Sequence, residues 1–151
     1  MKISEINSGT KPSFTILVAD DDPDDRFLLG LAFEEIQGVG ELHFVEDGEQ
    51  LIKYLYRQSE YSDPVLSPEA ELIFLDINMP KKNGRQALAE IKADRHLRKI
   101  PVIVWSSSSS EEDMAFCREA GADSYCTKPE RYGEMVEVVR GLVAKYSFQE
   151  S

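Results

Sequence analysis

Four short apolar runs and a fifth, more polar one, each followed by a segment with helical spacing, constrain this chain more than any other feature. Phe14 to Ala19, Leu42 to Val45, Leu72 to Leu75 and Val102 to Trp105 are short and end abruptly on polar residues, the first and fourth being rich in β-branched side chains; Ser124 to Thr127 follows them. Runs of this kind without polar alternation suit strands buried on both faces. Strand followed by helix, five times over and with no internal repeat, predicts a parallel sheet with helices on both faces. Right-handed crossovers make it a doubly wound (βα)5 α/β fold.

The helices have readable ends. Asp22 is placed to cap the first, Pro23 suits its first position, and Asp24 and Asp25 sit well against the helix dipole. That helix is expected over Pro23 to Ile36, with Phe27, Leu28, Leu31, Ala32 and Ile36 inward. Asp47-Gly48 opens a second helix carrying Leu51, Ile52 and Leu55, and Gly84 begins a third with Ala87, Leu88 and Ile91. Ser110 with Asp113 forms a capping box for a fourth, whose Met114, Phe116, Cys117 and Ala120 include the inward positions and which Gly121 ends. The last, Arg131 to Lys145, offers Met135, Val136, Val138, Val139, Leu142 and Val143. Gln58 to Glu71, with two prolines, serines and charges, reads as a surface loop. Flexible tails are expected at 1–13 and 147–151, around a single domain at 14–146 with no fused output domain.

Composition removes several function classes. No apolar run approaches the ~18 residues needed to span a bilayer. Lys and Arg total 17 against 28 Asp and Glu, a formal charge of -11, which repels nucleic acid and anionic lipid. The densest basic stretch, Arg95 to Lys99, is too short to offset that. Cys117 and Cys126 have neither metal-ligand spacing nor the density of a disulfide scaffold, and the N-terminus lacks an apolar leader. A reducing cytoplasm is expected, with both thiols buried.

In an open parallel sheet ligands gather at the carboxyl ends of the strands. Those ends carry Asp20 and Asp21, then Asp76, then Ser106 and Ser107, then Lys128. Three carboxylates in one crevice need a cation or protons to coexist, and a hard divalent ion, Mg²⁺ above all, meets that need with oxygen ligands. The hydroxyl and the lysine then look like phosphate ligands. Asp22, Asp24 and Asp25 read instead as a solvated helix start. Asp76 closes the most continuous apolar strand, where a charge is either at a site or misplaced. Of five consecutive serines only Ser106 is fixed by the strand before it. His43 and His96 look structural or solvated, and Cys126 and Trp105 suit the core.

With these motifs in place, the chain resembles the receiver domain of two-component response regulators, from Phe14 to Lys145. Ile-Leu-Val-Ala-Asp-Asp-Asp (16 to 22) resembles the family's first strand and acidic pair, Asp20 and Asp21. Leu-Asp-Ile-Asn-Met-Pro (75 to 80) with Asn83-Gly84 resembles its phosphoacceptor segment. Pro-Val-Ile-Val-Trp-Ser-Ser (101 to 107) resembles its switch strand, Tyr125 its switch aromatic, and Lys128-Pro129 its lysine and following proline, usually in a cis bond. Glu130 departs from the hydrophobic residue many members carry there. The long loop and the Asp-Pro-Asp-Asp-Arg opening of helix one resemble stand-alone members that serve phytochrome-like kinases.

The resemblance implies a flavodoxin-like sheet of order 2-1-3-4-5 and a phosphorelay role rather than an enzyme's. Asp76 would accept a phosphoryl group from a sensor histidine kinase or a histidine phosphotransfer protein. Mg²⁺ would be held by Asp20, Asp21, Asp76 and the backbone carbonyl of Asn78. Lys128 would contact a phosphate oxygen, and Ser106 and Tyr125 would switch the face of helix four, strand five and helix five. That face would signal to a downstream protein, with no direct DNA binding, and could support a weak homodimer through Glu111, Glu112, Asp113, Arg118, Arg131, Glu134, Glu137 and Arg140. Three rivals use parts of the same pattern. A phosphatase resembling the haloacid dehalogenase group would use Asp20 as nucleophile and Asp22 as acid, but needs an acidic pair after the lysine. A flavodoxin would not place three aspartates in its phosphate loop. A receiver-shaped adaptor would never be phosphorylated.

Overall fold

The computed structural model describes residues 14–36, 39–79 and 83–147. Five strands, β1 (Thr15–Ala19), β2 (Glu41–Val45), β3 (Leu72–Leu75), β4 (Val102–Ser106) and β5 (Ser124–Thr127), form one sheet. Between and after them run α1 (Pro23–Glu34), α2 (Gly48–Leu55), α3 (Gly84–Ala93), α4 (Glu111–Ala120) and α5 (Tyr132–Ser147). All pairings are parallel and the order is β2-β1-β3-β4-β5. The expected tails 1–13 and 148–151 lie outside the described residues, whereas Ser147 is still helical.

Strand pleating sorts the central residues onto two faces. Ile16, Val18, Leu72, Phe74, Ile103 and Trp105 pack with α1 and α5. Leu17, Ala19, Ile73, Leu75, Val102 and Val104 pack with α2, α3 and α4. Phe33, Phe74 and Trp105 meet edge to face, with centroids 5.4 and 5.5 Å apart. Trp105 is therefore core, and its neighbour Ser106 belongs to the opposite face.

The caps are as the residue types require. Asp22 accepts from the amides of Asp24 and Asp25, Asp47 from Gln50, Ser110 from Asp113. Asn83 and Gln86 form a reciprocal box before α3. Gly121 ends α4 in the left-handed region at φ 104°, which a Cβ would oppose.

α1 is rotated relative to the expectation. Leu29, Ala32 and Phe33 are buried within it, and Ile36 just beyond it, while Phe27 is 66% and Leu28 37% exposed. Phe27 to Phe33 is apolar nearly all round, so its periodicity is weak; tertiary packing sets the phase and brings Asp25 into step with Leu29, Ala32, Phe33 and Ile36. The helix also stops at Glu34 rather than Ile36. On α4 only Cys117 is fully buried, with Phe116 partly exposed; Cys126, expected in the core, is half-buried on edge strand β5. The loop from Gln58 holds a 3-10 turn, Ser59–Tyr61, and buries Ser67 and Ala70. Among the described residues no peptide bond is cis, so Lys128–Pro129 is trans, the isomer that X–Pro bonds intrinsically favour.

Candidate functional site

The chain leaves β1 for the outer strand β2 and then returns past β1 to β3, so the connections diverge and open a crevice at the carboxyl ends of β1 and β3. Asp20 follows β1 directly and Asp76 follows β3; the amide of Asp76 donates to the Ala19 carbonyl at 3.0 Å, which fixes the two segments side by side. Asp20 is 1% and Asp76 7% exposed, and Asp21 is exposed at the rim. One oxygen from each of the three lies within 4.8 Å of the others.

Burying such charges is costly unless they are compensated. Lys128, one residue past β5, supplies the cation: its Nζ lies 2.9 Å from Asp20 Oδ2, 3.0 Å from Asp76 Oδ2 and 2.7 Å from Asp25 Oδ2. Its position is set by its own amide, which donates to the Ser106 carbonyl at 2.7 Å. Burial works to lower the Lys128 pKa, but hydrogen bonds to Asp25 and Asp20 and the charge of Asp76 outweigh it, so the ammonium is held more firmly than usual. Burial pushes the Asp20 carboxyl up, against the pull of Lys128 and the Asp22 amide. Both carboxylates are held at their second oxygen too, Asp20 by the Asp22 amide and Asp76 by the Asn78 amide, each at 2.9 Å. Arg26 donates to the Asp20 carbonyl at 2.8 Å.

A divalent cation fits this donor set. Three carboxylates, Asp20, Asp25 and Asp76, meet one ammonium and Asp21 lies beside two of them, an excess of negative charge carried on the hard oxygens that such a cation takes. Asp20, Asp21 and Asp76 are the side chains that would hold it, with the backbone of Asn78 next to Asp76. Close packing supports the crevice: a Cβ on Gly84 would lie 2.3 Å from Ile77 Cα and 2.4 Å from the Asp76 carbonyl. Only glycine lets α3 start against this segment, and its amide donates back to the Ile77 carbonyl.

Ser106 is fully buried at the end of β4. Its Oγ accepts from the Ser108 amide at 3.1 Å, and among the described residues no acceptor is found for its own proton. Tyr125, half-buried on β5, donates to the Ser108 carbonyl at 2.8 Å.

Comparison with known proteins agrees with this geometry. A model of the response regulator receiver domain matches residues 16–140. The chain belongs to the response regulator receiver domain family. Response regulator Rcp1 of Synechocystis sp. is 34% identical over 133 residues, 88% of either chain. The crystal structure of the phosphorylated cyanobacterial phytochrome response regulator RcpA superposes with a TM-score of 0.84 at 31% identity, covering 93% of this chain and 98% of that one. The Mn²⁺-bound form of Rcp1 does so at 0.81 and 32%, with the same coverage.

In this receiver the structure brings together Asp20, Asp21, Asp76 and Lys128, with Ser106 and Tyr125 linked through one loop. It adds Asp25, expected at a solvated helix start, which the packing-set rotation of α1 turns towards Lys128. It also withdraws a charge from the outer face. Asp113, expected to be free for a partner, is engaged by Arg85 and by the Ser108 hydroxyl, and Arg140 lies 3.6 Å from Glu137 of its own helix.

Proposed function

We propose that this receiver takes a phosphoryl group onto Asp76 from a phosphohistidine on a sensor histidine kinase or phosphotransfer protein, with Mg²⁺ as the cation, and signals by protein contact. The carrying observation is the Asp76 carboxylate, buried beside two further aspartates yet within 3.0 Å of Lys128. An Asp76 oxygen attacks phosphorus, the new P–O bond replaces the P–N bond, and the imidazole leaves as the neutral base after taking a proton. Mg²⁺, when bound, neutralises charge on the transferring oxygens. Lys128 then exchanges a carboxylate partner for a phosphate oxygen, and the unclaimed Ser106 proton finds an acceptor there. Exposed Phe27 and Leu28, on the helix that begins at the crevice, offer the donor protein an apolar foothold.

Ser106 and Tyr125 convert this local charge change into a different α4, β5 and α5 surface. That surface serves the downstream protein and a weak, salt-sensitive homodimer, through the exposed Glu111, Glu112, Arg118, Arg131 and Glu134. A charge of -11 argues against DNA as a partner, and the kinase reaction argues for a cytoplasmic setting. No helix among the described residues is long and apolar enough to cross a membrane.

Labelling with acetyl phosphate tests the reading. Label is expected with Mg²⁺, and neither in EDTA nor in Asp76→Asn, which is nearly isosteric and keeps the fold. Equal labelling of Asp76→Asn would move the acceptor elsewhere, and labelling indifferent to EDTA would remove the cation. A parent protein that takes no label under any condition would favour the adaptor.

A further inference from the structure

Three carboxylates hold the Lys128 ammonium, and the reaction proposed for this crevice makes demands on two of them. Asp20 and Asp76 each spend one oxygen on a backbone amide, of Asp22 and of Asn78, and the other on Lys128. The same oxygens are the ones a divalent cation would need. Once Asp76 carries a phosphoryl group, its carboxyl is an acyl phosphate and no longer a charged acceptor. Asp25 is under neither demand. It does not join Asp20, Asp21 and Asp76, whose oxygens converge within 4.8 Å of one another. Its contact with Nζ, at 2.7 Å, is the shortest of the three, and among the described residues no other hydrogen bond to its carboxylate is found.

α1 does not need the Asp25 carboxylate for its start. Asp22 caps the amides of Asp24 and Asp25, Pro23 takes the first position, and Asp24 already supplies acid to the first turn. What aims Asp25 at Lys128 is the packing of the helix it begins. Leu29, Ala32 and Phe33 are buried in the core, and Asp25 lies one turn before Leu29 on the same face. Its side chain is 33% exposed, against 2% for Asp20 and 9% for Asp76, so it sits at the rim, outside the two buried carboxylates.

We infer that Asp25 is a positioning residue for phosphoryl acceptance, keeping the Lys128 ammonium aimed into the crevice while Asp20 and Asp76 turn to the cation and the phosphoryl group. The inference rests on the phosphoryl-accepting role proposed for Asp76. Lys128 carries its charge on a flexible stem, and an ammonium without a fixed acceptor spreads over many rotamers. A charge-assisted bond to a carboxylate that stays a carboxylate throughout the reaction confines it. An ammonium has several N–H groups, so one remains on Asp25 while another reaches a phosphate oxygen. Asp25 thereby orients the ammonium without touching the transferring group, as the partners behind a metal's ligands orient those ligands.

The test is the initial rate at which the full chain takes label from acetyl phosphate at saturating Mg²⁺. Asp25→Ala should slow it about tenfold. Asp25→Asn, which keeps an acceptor oxygen and loses the charge, should fall between parent and Asp25→Ala. Adding Asp25→Ala to Lys128→Ala should slow labelling no further, because Asp25 acts only through the ammonium. A purely structural role would lower the melting temperature and leave this rate where it was. An unchanged rate in Asp25→Ala overturns the inference, and so do losses that multiply in the double variant. A faster rate overturns it as well, since Asp25 would then be withholding the ammonium from the phosphoryl group. If Lys128→Ala fails to fold, the order of the Asp25 variants decides alone: parent faster than asparagine faster than alanine supports the positioning role, and any other order rejects it. A parent protein that takes no label would instead overturn the phosphoryl-accepting role, and this inference with it.

Discussion

Lys92 and Lys128 are buried to nearly the same degree, with side chains 12% and 10% exposed, and each ammonium has three oxygen partners. The partners differ in kind. Lys92 donates to the Arg98 and Ile100 carbonyls, at 3.1 and 2.9 Å, and to Asp123 at 3.0 Å. Asp123 is itself tied to the Val102 amide. Two of these acceptors are backbone and cannot leave, and one carboxylate balances one ammonium. Lys128 meets three carboxylates, from α1 and from the ends of β1 and β3. They exceed it in charge and can turn to a cation or give way to a phosphate oxygen. The first lysine closes the amino end of the sheet; the second leaves the carboxyl end with exchangeable bonds. A buried lysine is thus informative less by its burial than by whether its acceptors have an alternative.

Substitution sharpens this contrast. Lys128→Ala should slow phosphoryl acceptance on the order of 100-fold, the scale of losing one charged contact to the transferring group. It should also leave buried carboxylates uncompensated, at a cost of about 3 kcal/mol in EDTA. Urea denaturation with and without Mg²⁺ checks the point: added cation should restore part of the loss. A deficit independent of Mg²⁺ would make Lys128 as structural as Lys92.

Lys92→Ala should cost about 2 kcal/mol in the same denaturation experiment, by stranding two carbonyls and the Asp123 carboxylate. Its phosphorylation rate should match that of the parent. A slowed rate would mean the two ends of the sheet are coupled.

The smallest effect concerns Tyr54, also at the amino end, whose hydroxyl donates to the Pro68 carbonyl at 2.6 Å. Burial raises its pKa to about 12 from the ordinary 10.0. The folded chain therefore holds this proton more tightly than the unfolded one. Its contribution is fully present below pH 10 and is lost as the pH climbs towards 12. Stability measured at intervals across that window should fall less steeply in Tyr54→Phe. An equal slope would place the titration elsewhere.

How much was legible in the sequence follows from what each feature depends on. A strand's carboxyl end is marked by its last apolar residue, so Asp20, Asp76, Ser106 and Lys128 could be placed at the crevice from spacing alone. Caps are local, and those at Asp22, Asp47 and Ser110 were equally readable. The rotation of α1 was not, because Phe27 to Phe33 is apolar on every side and only tertiary packing selects Leu29 over Leu28. The place of Asp25 is lost with that rotation, since its partner Lys128 lies 103 residues away. Ser108 was hidden for a different reason. Between Ser106, marked by its strand, and Ser110, marked by its cap, the three serines 107 to 109 carry no distinction, and the one that becomes the hub is chosen by how the loop turns back towards Tyr125 and Asp113.

Asp76, and no other carboxylate of the cluster, is the proposed acceptor of the phosphoryl group. Borohydride reduces an acyl phosphate to the alcohol and leaves free carboxylates alone, so a phosphorylated aspartate is converted to homoserine. Peptide mass spectrometry after Mg²⁺, acetyl phosphate and borohydride should find homoserine at position 76, and none when Mg²⁺ is omitted. Homoserine at 20, 21 or 25 in its place would contradict the account.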